Sequence, residues 1–216
     1  MPKLPYAPSM TRSRKDASLR REEILRATTA LIEKEGIQAL RISDVAQSLQ
    51  VSPALVVYHF RTKEELIAEA FTWAAQRDLD RLEKLTAAAP SAVGRLGTAL
   101  AWYAPTGQAK GWKLWIEGWA AALREPTLRQ VGREVDLRWK ESLTAVIQDG
   151  VGTGEFTCAD ARGAAWRITA VLDGLAVQAL VHQGVQSRER MDEWARQIVG
   201  REVGVDPAVL ERPAGA

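Results

Sequence analysis

Residues 41–66, RISDVAQSLQVSPALVVYHFRTKEEL, constrain this chain more than any other stretch. They encode two short helices separated by a tight turn, then the start of a third. Ser43 is placed to cap the first helix, because a serine oxygen accepts a bond from a free N–H of the first turn. Asp44 follows, where the helix dipole favours an anion. Val45, Ala46 and Leu49 recur at helical spacing and make one apolar face. Val51 and Ser52 form the turn. Ser52 is a second cap, and Pro53 fits the first helical position, which needs no N–H. The second helix continues through Ala54, Leu55, Val56, Val57, Tyr58, His59 and Phe60. Thr62 and Glu65 then make a capping box for a helix that begins near Lys63. This is the layout of a helix-turn-helix, whose second helix enters the major groove of DNA. It points to occupancy of DNA, not chemistry on a substrate.

The pattern S-D-V-A-x-x-L-x-V-S-x-A-x-V-x-Y-H-F-x-x-K-E-E-L resembles the DNA-binding signature of the TetR family of bacterial regulators. Tyr58-His59-Phe60 and Lys63-Glu64-Glu65-Leu66 are its most specific parts. A helix near residues 18–35 fits as well, with Ile24, Leu25, Ala27, Leu31 and Ile32 at core spacing and Gly36 at its end. The resemblance covers roughly residues 20–70. One departure is Gln50, where the family often has glycine in the turn.

Charge is distributed as phosphate binding requires. Residues 1–63 carry 11 Lys/Arg and 6 Asp/Glu, a net +5, whereas residues 64–216 carry 18 and 21, a net −3. Residues 1–17 read as a flexible basic arm. Arg12, Arg14 and Lys15 either remain solvated, as termini commonly do, or reach phosphates in a complex. Within the head, 18–65, the groove-facing candidates are Ser52, Pro53, Ala54, Val57 and Tyr58. The second helix contains no Arg, Asn or Gln, so it lacks the bidentate pairs that discriminate bases most strongly. Thymine-methyl contacts by Ala54 and Val57, a Tyr58 contact and DNA shape have to supply more of the specificity. Arg41 and Gln47 add polar contacts from outside that helix. The resemblance implies that Ser43, Tyr58, His59 and Lys63 contact phosphates, although His59 also fits as a capping or packing residue. Leu55, Val56 and Phe60 are core by type and spacing.

The remaining two-thirds reads as helix throughout, with no alternating strand pattern. The expected helices are 63–88, 91–105, 107–124, 126–150, 159–184 and 187–203, divided by Pro90, Thr106-Gly107, Glu125-Pro126, Gly150 to Gly154 and Gly184. The expected architecture is all-α: a three-helix DNA-binding head followed by a helical bundle at 66–204, with a frayed tail at 205–216. WKLWIEGWAAALREPTLRQ, RWKESLTAVIQDGVGTGEF and AAWRITAVLDGLAVQALV resemble the ligand-binding and dimerisation domain of the betaine-repressor-like (BetI-type) branch of that family. This likeness spans roughly residues 110–185. It implies a fold and a homodimer. It does not imply a ligand, because members of the branch answer to unrelated compounds.

Ala164–Val181 is apolar nearly all round, so one side can pack the domain core and the other a second subunit. Ala170, Gly174, Ala176 and Ala179 permit close approach. The helices near 159–184 and 187–203, two from each subunit, would form a four-helix interface. Symmetry then sets two heads on a pseudo-palindromic operator.

Seven of the eight tryptophans lie beyond residues 70–75, where the head gives way to the bundle: Trp102, Trp112, Trp115, Trp119, Trp139, Trp166 and Trp194. Trp112, Trp115 and Trp119 share a helical face. Such stripes are ordinary core, or they line a pocket. Glu117 and Asp173 lie in apolar surroundings and need partners. Arg167, an indole N–H or a helix terminus would serve. So would a cationic ligand held by aromatic faces and a carboxylate. The candidate ligand set is therefore Trp102, Trp112, Trp115, Glu117, Trp119, Trp139, Trp166 and Asp173.

Enzymatic readings find little support. The only histidines are His59 and His182, the only cysteine is Cys158, and no spacing suits a metal site or a phosphate-binding glycine loop. No cofactor is expected. GVGTGEF, 150–156, reads as a helix stop and connector. A single cysteine suits a reducing cytoplasm. No apolar run is long enough to span a bilayer, and the first residues lack the apolar stretch of a secretory signal. The expected protein is a ligand-responsive, homodimeric repressor. A regulator governed by a partner protein, or an enzyme or carrier with a vestigial head, remains open at this level.

Overall fold

The computed structural model describes residues 10–104 and 111–210, with side chains described from residue 17. The described residues are helical, with no strand among them. The helices are α1 (Met10–Glu35), α2 (Ile42–Ser48), α3 (Pro53–His59), α4 (Lys63–Ala87), α5 (Ala92–Tyr103), α6 (Trp112–Ala122), α7 (Pro126–Thr153), α8 (Ala161–Leu180) and α9 (Arg188–Val203). A 3-10 turn, Pro207–Leu210, follows. The chain forms two compact units that divide between Trp73 and Ala74, within α4.

In the first unit, Ile24, Leu25 and Ile32 of α1 are buried together with Val45 and Ala46 of α2, Val56 of α3, and Phe60. The start of α4 adds Leu66, Ile67, Ala70 and Phe71. Gly36, at φ 85°, ends α1 and donates its N–H to the Ile32 carbonyl at 2.8 Å. Two local expectations change. α1 begins at Met10 rather than near residue 18, so residues 10–17 of the expected flexible arm are helical; residues 1–9 lie outside the described set. Ser43 does not cap α2, because the helix starts at Ile42, two residues earlier than a Ser43 cap requires. Arg41 occupies the cap without a side-chain bond, and the Ser43 hydroxyl turns to Asp44 at 3.2 Å.

The second unit is built on a core of Leu96 and Leu100 (α5), Ile147 (α7), Ile168 and Leu172 (α8), and Val199 (α9). The 150–156 connector does more than stop α7. The helix runs on to Thr153, and Gly154, at φ 76°, is its left-handed cap. Gly150 lies under Phe156, so close that a Cβ would overlap the ring. Glu155 then presents its carboxylate to the start of α5, accepting the N–H groups of Ala92 and Val93 at 3.0 Å each. Those bonds hold the Glu155 carboxyl below its usual range.

Other boundaries also shift. α5 ends at Tyr103, α6 runs 112–122, and α8 runs 161–180, leaving 181–187 non-helical; residues 105–110 lie outside the described set. The tail expected to fray at 205–216 is ordered through Leu210, which is buried against the α5–α9 core. Residues 211–216 are not described. Among the described residues, no helix is long and apolar enough to cross a membrane.

Candidate DNA interface and inner cavity

α3 divides its residues sharply. Val56 and the following Phe60 are fully buried, while Val57 is 43% and Tyr58 80% exposed. Ser52 caps the helix by accepting the Leu55 N–H at 3.3 Å, and Pro53 opens it. Ser52, Pro53 and Ala54 are exposed, and Ala54, Val57 and Tyr58 follow one another at i, i+3 and i+4 on the outer side. On α2 and its cap, Arg41, Ser43 and Gln47 are exposed. The Thr62 hydroxyl accepts the Glu65 N–H at 3.0 Å, and the Glu65 carboxylate reaches back to the Arg61 N–H at 3.2 Å. Lys63 is half-buried and donates to the Gln38 carbonyl at 3.4 Å. Gln50 adopts φ 56°, the left-handed turn conformation that glycine takes at no steric cost.

The sequence reading missed Arg21. It donates to the His59 carbonyl, the last of α3, at 2.8 Å; its guanidinium lies 4.2 Å from the centre of the Phe60 ring; and it pairs with Glu69 of α4. One side chain thus ties α1 to the end of α3 and to α4. His59 is half-buried with Tyr58 edge-on at 5.3 Å. Partial burial, then Arg21 and Arg20, hold its imidazole below the ordinary value. His59 therefore tends to be neutral and to act as a hydrogen-bonding group rather than a cation.

The second unit contains a cavity of about 410 Å³ that is partly open to solvent. Much of its wall is apolar: Leu79 and Leu82 from α4, Leu96 and Leu100 from α5, Ile168 and Leu172 from α8. Its acidic side chains, Asp80, Glu83 and Glu141, outnumber its one basic side chain, Arg138, and all four are exposed. Tyr103 and Trp139 complete the wall and begin an aromatic cluster. Their ring centres are 4.7 Å apart, Tyr103 meets Trp112 edge-on at 5.0 Å, and Trp112 meets Trp119 at 6.2 Å.

Behind this cluster the Tyr103 hydroxyl donates to Asp173 at 2.7 Å. Burial pushes the Asp173 carboxyl up to about 6, opposed by the Tyr103 bond and by Lys140, and assisted by Asp136. Lys140 is only 7% exposed, pairs with Asp136, and sets its ammonium 4.2 Å from the centre of the Trp166 ring. Asp136 thus takes the direct pairing with the buried ammonium, and Asp173 feels its charge without pairing to it.

Residues 24–70 match the family described as bacterial regulatory proteins, tetR family, and residues 92–204 match the BetI-type transcriptional repressor C-terminal domain. The chain belongs to the TetR family, with a BetI-type C-terminal domain. It is 29% identical over 161 residues to the HTH-type transcriptional regulator BetI of Burkholderia mallei, covering 73% of this chain and 80% of that protein. The corresponding regulator of Paraburkholderia phymatum gives 29% over the same length, covering 73% and 79%. Among solved structures, a transcriptional regulator from Saccharomonospora viridis in complex with choline superposes with a TM-score of 0.78 at 26% identity, covering 86% of this chain and 98% of that one. A TetR-family regulator from a Rhodococcus species gives 0.72 at 27%, covering 85% and 96%. The chain is therefore a DNA-binding transcriptional regulator, of a family that binds operators as dimers and responds to small molecules.

Within this TetR regulator the expected ligand residues are not all brought together. Trp139 reaches the cavity wall. Trp112, Trp119 and Asp173 join it through Tyr103. Trp102, Trp115 and Glu117 are half-buried and are not among the described wall residues, and Trp166 covers Lys140 on the outer side of α8. Arg167 is not the partner of Asp173; it turns to Glu202, with its closest contact at 2.7 Å. Tyr103, Asp136 and Lys140 were missed. A cue for the last two was available, since Asp136 and Lys140 are four residues apart on a helix.

Proposed function

We propose that this regulator is a homodimeric repressor released from a pseudo-palindromic operator by a small cation. The observation that carries the reading is the cavity whose wall includes Tyr103 and Trp139, with Asp173 bonded directly behind Tyr103. Aromatic faces attract a cation through their quadrupoles, and a bound cation offsets the cost of the buried Asp173 charge. The choline held by the Saccharomonospora viridis regulator supports the same ligand class.

The DNA side rests on Arg41, Ser43, Gln47, Ser52, Pro53, Ala54, Val57, Tyr58, His59 and Lys63. Lys63, with any phosphate-directed basic side chain, supplies affinity. Ala54 and Val57 meet thymine methyls, and Tyr58 adds a directional contact. The proposed dimer uses the outer row of α8, where Trp166, Ala170, Gly174 and Gln178 are exposed, together with α9. The space beside Gly174 is open, as a close helix crossing needs. α4 carries Lys63 at its start and the cavity residues Leu79 and Leu82 further along. A cation that prefers one position of α4 would shift the population of head spacings away from the operator. The regulator works in the cytoplasm, where its DNA is.

The test is selection of bound duplexes from random DNA by the full-length protein, followed by footprinting. Enrichment of a two-fold symmetric site, protected on both halves, supports the reading. A monomeric protein, or selection that enriches no symmetric site, overturns it.

A further inference from the structure

We infer that the effector is an amphiphilic cation, an ammonium bearing a hydrocarbon chain, and not a bare choline-sized head group. The inference rests on the cationic-effector reading above and extends it to the rest of the cavity. Three observations converge on it.

The first is size. At the ~30 Å³ that a water occupies in the liquid, a space of about 410 Å³ accommodates about 14 non-hydrogen atoms. Choline has about half that number. A choline-sized guest would leave the remainder to water, which an apolar wall does not hold well.

The second is the wall itself. Leu79, Leu82, Leu96, Leu100, Ile168 and Leu172 offer methyl and methylene surface. Two of the hydroxyls on the wall are already spent on their own helices: Thr86 donates to the Leu82 carbonyl at 2.9 Å, and Thr169 to the Ala165 carbonyl at 2.8 Å. The remaining polar side chains, among them Gln76, Asp80, Glu83, Arg138, Glu141 and Ser142, lie at the exposed edge, so the inner leucine surface suits an alkyl chain better than a sugar or polyol.

The third is sign. Asp80, Glu83 and Glu141 outnumber Arg138 at the exposed edge of the cavity, and the buried Asp173 lies behind Tyr103. A fatty acid or other anionic amphiphile would meet the wrong field. The aromatic pair Tyr103–Trp139 receives the ammonium, and the chain runs along the leucine surface.

The experiment is isothermal titration of the full-length protein with tetramethylammonium, choline, and butyl-, hexyl-, octyl- and decyltrimethylammonium, all below micelle formation. Decanol and decyl sulfate serve as the neutral and anionic controls. Affinity should rise about four-fold per methylene, the equivalent of ~0.8 kcal/mol for each CH₂ buried. The rise should level off near decyltrimethylammonium, which has about 14 non-hydrogen atoms, the number that fills the cavity. Binding should saturate at one molecule per chain.

In Ala99→Leu, which adds bulk to the wall, the levelling should come at a shorter chain. If that variant fails to fold, the wild-type series still decides. Saturable binding of choline with no gain from longer chains would overturn the amphiphile inference and leave the cation reading standing. Decanol binding as tightly as the ammonium of equal chain length would overturn both, as would the absence of binding by every cation.

Discussion

Replacing Asp173 with asparagine isolates the charge on which the effector reading depends. Asparagine keeps a carbonyl oxygen for the Tyr103 hydroxyl but carries no charge. Burial moves the carboxyl from its ordinary 3.8 to about 6, and that displacement corresponds to about 3 kcal/mol. The folded pKa is raised, so the favourable contribution of the protonated form is fully present below pH 3.8 and is lost as pH rises through 6. By linkage, the folded protein at pH 8 bears about 3 kcal/mol for holding Asp173 ionised, and at pH 5 about half of that. The stability advantage of Asp173→Asn over the wild type should therefore shrink by about 1.4 kcal/mol between pH 8 and pH 5. Any constant difference between amide and carboxylate as hydrogen-bond acceptors cancels in this comparison. Urea unfolding of the free protein, followed by tryptophan fluorescence and circular dichroism at pH 5, 6.5 and 8, measures it. A wild-type-to-variant difference that is flat across these pH values, or grows toward acid, would refute the reasoning.

Five further substitutions have definite outcomes. Tyr58→Ala should weaken operator binding about ten-fold, the scale of one lost directional contact, without destabilising the head, since Tyr58 is 80% exposed; Lys63→Ala should also lower the slope of log affinity against log salt by about 0.9, and anisotropy titrations at several salt concentrations separate the two effects. Gln50→Gly should stabilise the head by about 0.5–1 kcal/mol by removing a left-handed non-glycine residue at φ 56°, measured by chemical denaturation. Gly150→Ala should destabilise by about 1–3 kcal/mol because its Cβ would overlap Phe156, whereas Gly152→Ala, with nothing within 4 Å of its Cβ, should be neutral or slightly stabilising.

What could be read from the sequence divides by the range of the interaction. Ser52, Pro53, Thr62 and Glu65 act within one helical turn, so the order and type of elements in the head follow from local rules, and the capping bonds form where those rules place them. Ser43 shows their limit: a helix that starts two residues earlier moves a good cap into the first turn. The pairing of Arg21 with the His59 carbonyl spans 38 residues, and that of Tyr103 with Asp173 spans 70. No periodicity announces such contacts, and Arg21 and Tyr103 were overlooked although their partners His59 and Asp173 were not. The tryptophan stripe of α6 was visible as spacing, but which ring reaches the cavity depends on the packing of other helices. Trp139 and Tyr103 line it, while Trp112 and Trp119 stand behind Tyr103. The end of the chain was misread for the same reason. Leu210 is an ordinary apolar residue until α5 and α9 provide a place to bury it.

Effector-driven release is tested most directly by the affinity of the full-length protein for its selected operator, measured by fluorescence anisotropy at fixed salt while an alkyltrimethylammonium is titrated in. Release should be saturable: operator affinity falls at least ten-fold, over the same concentration range in which the cation quenches tryptophan fluorescence. An operator affinity that stays constant while the cation saturates the cavity would contradict it, because the ligand would then bind both head spacings equally well.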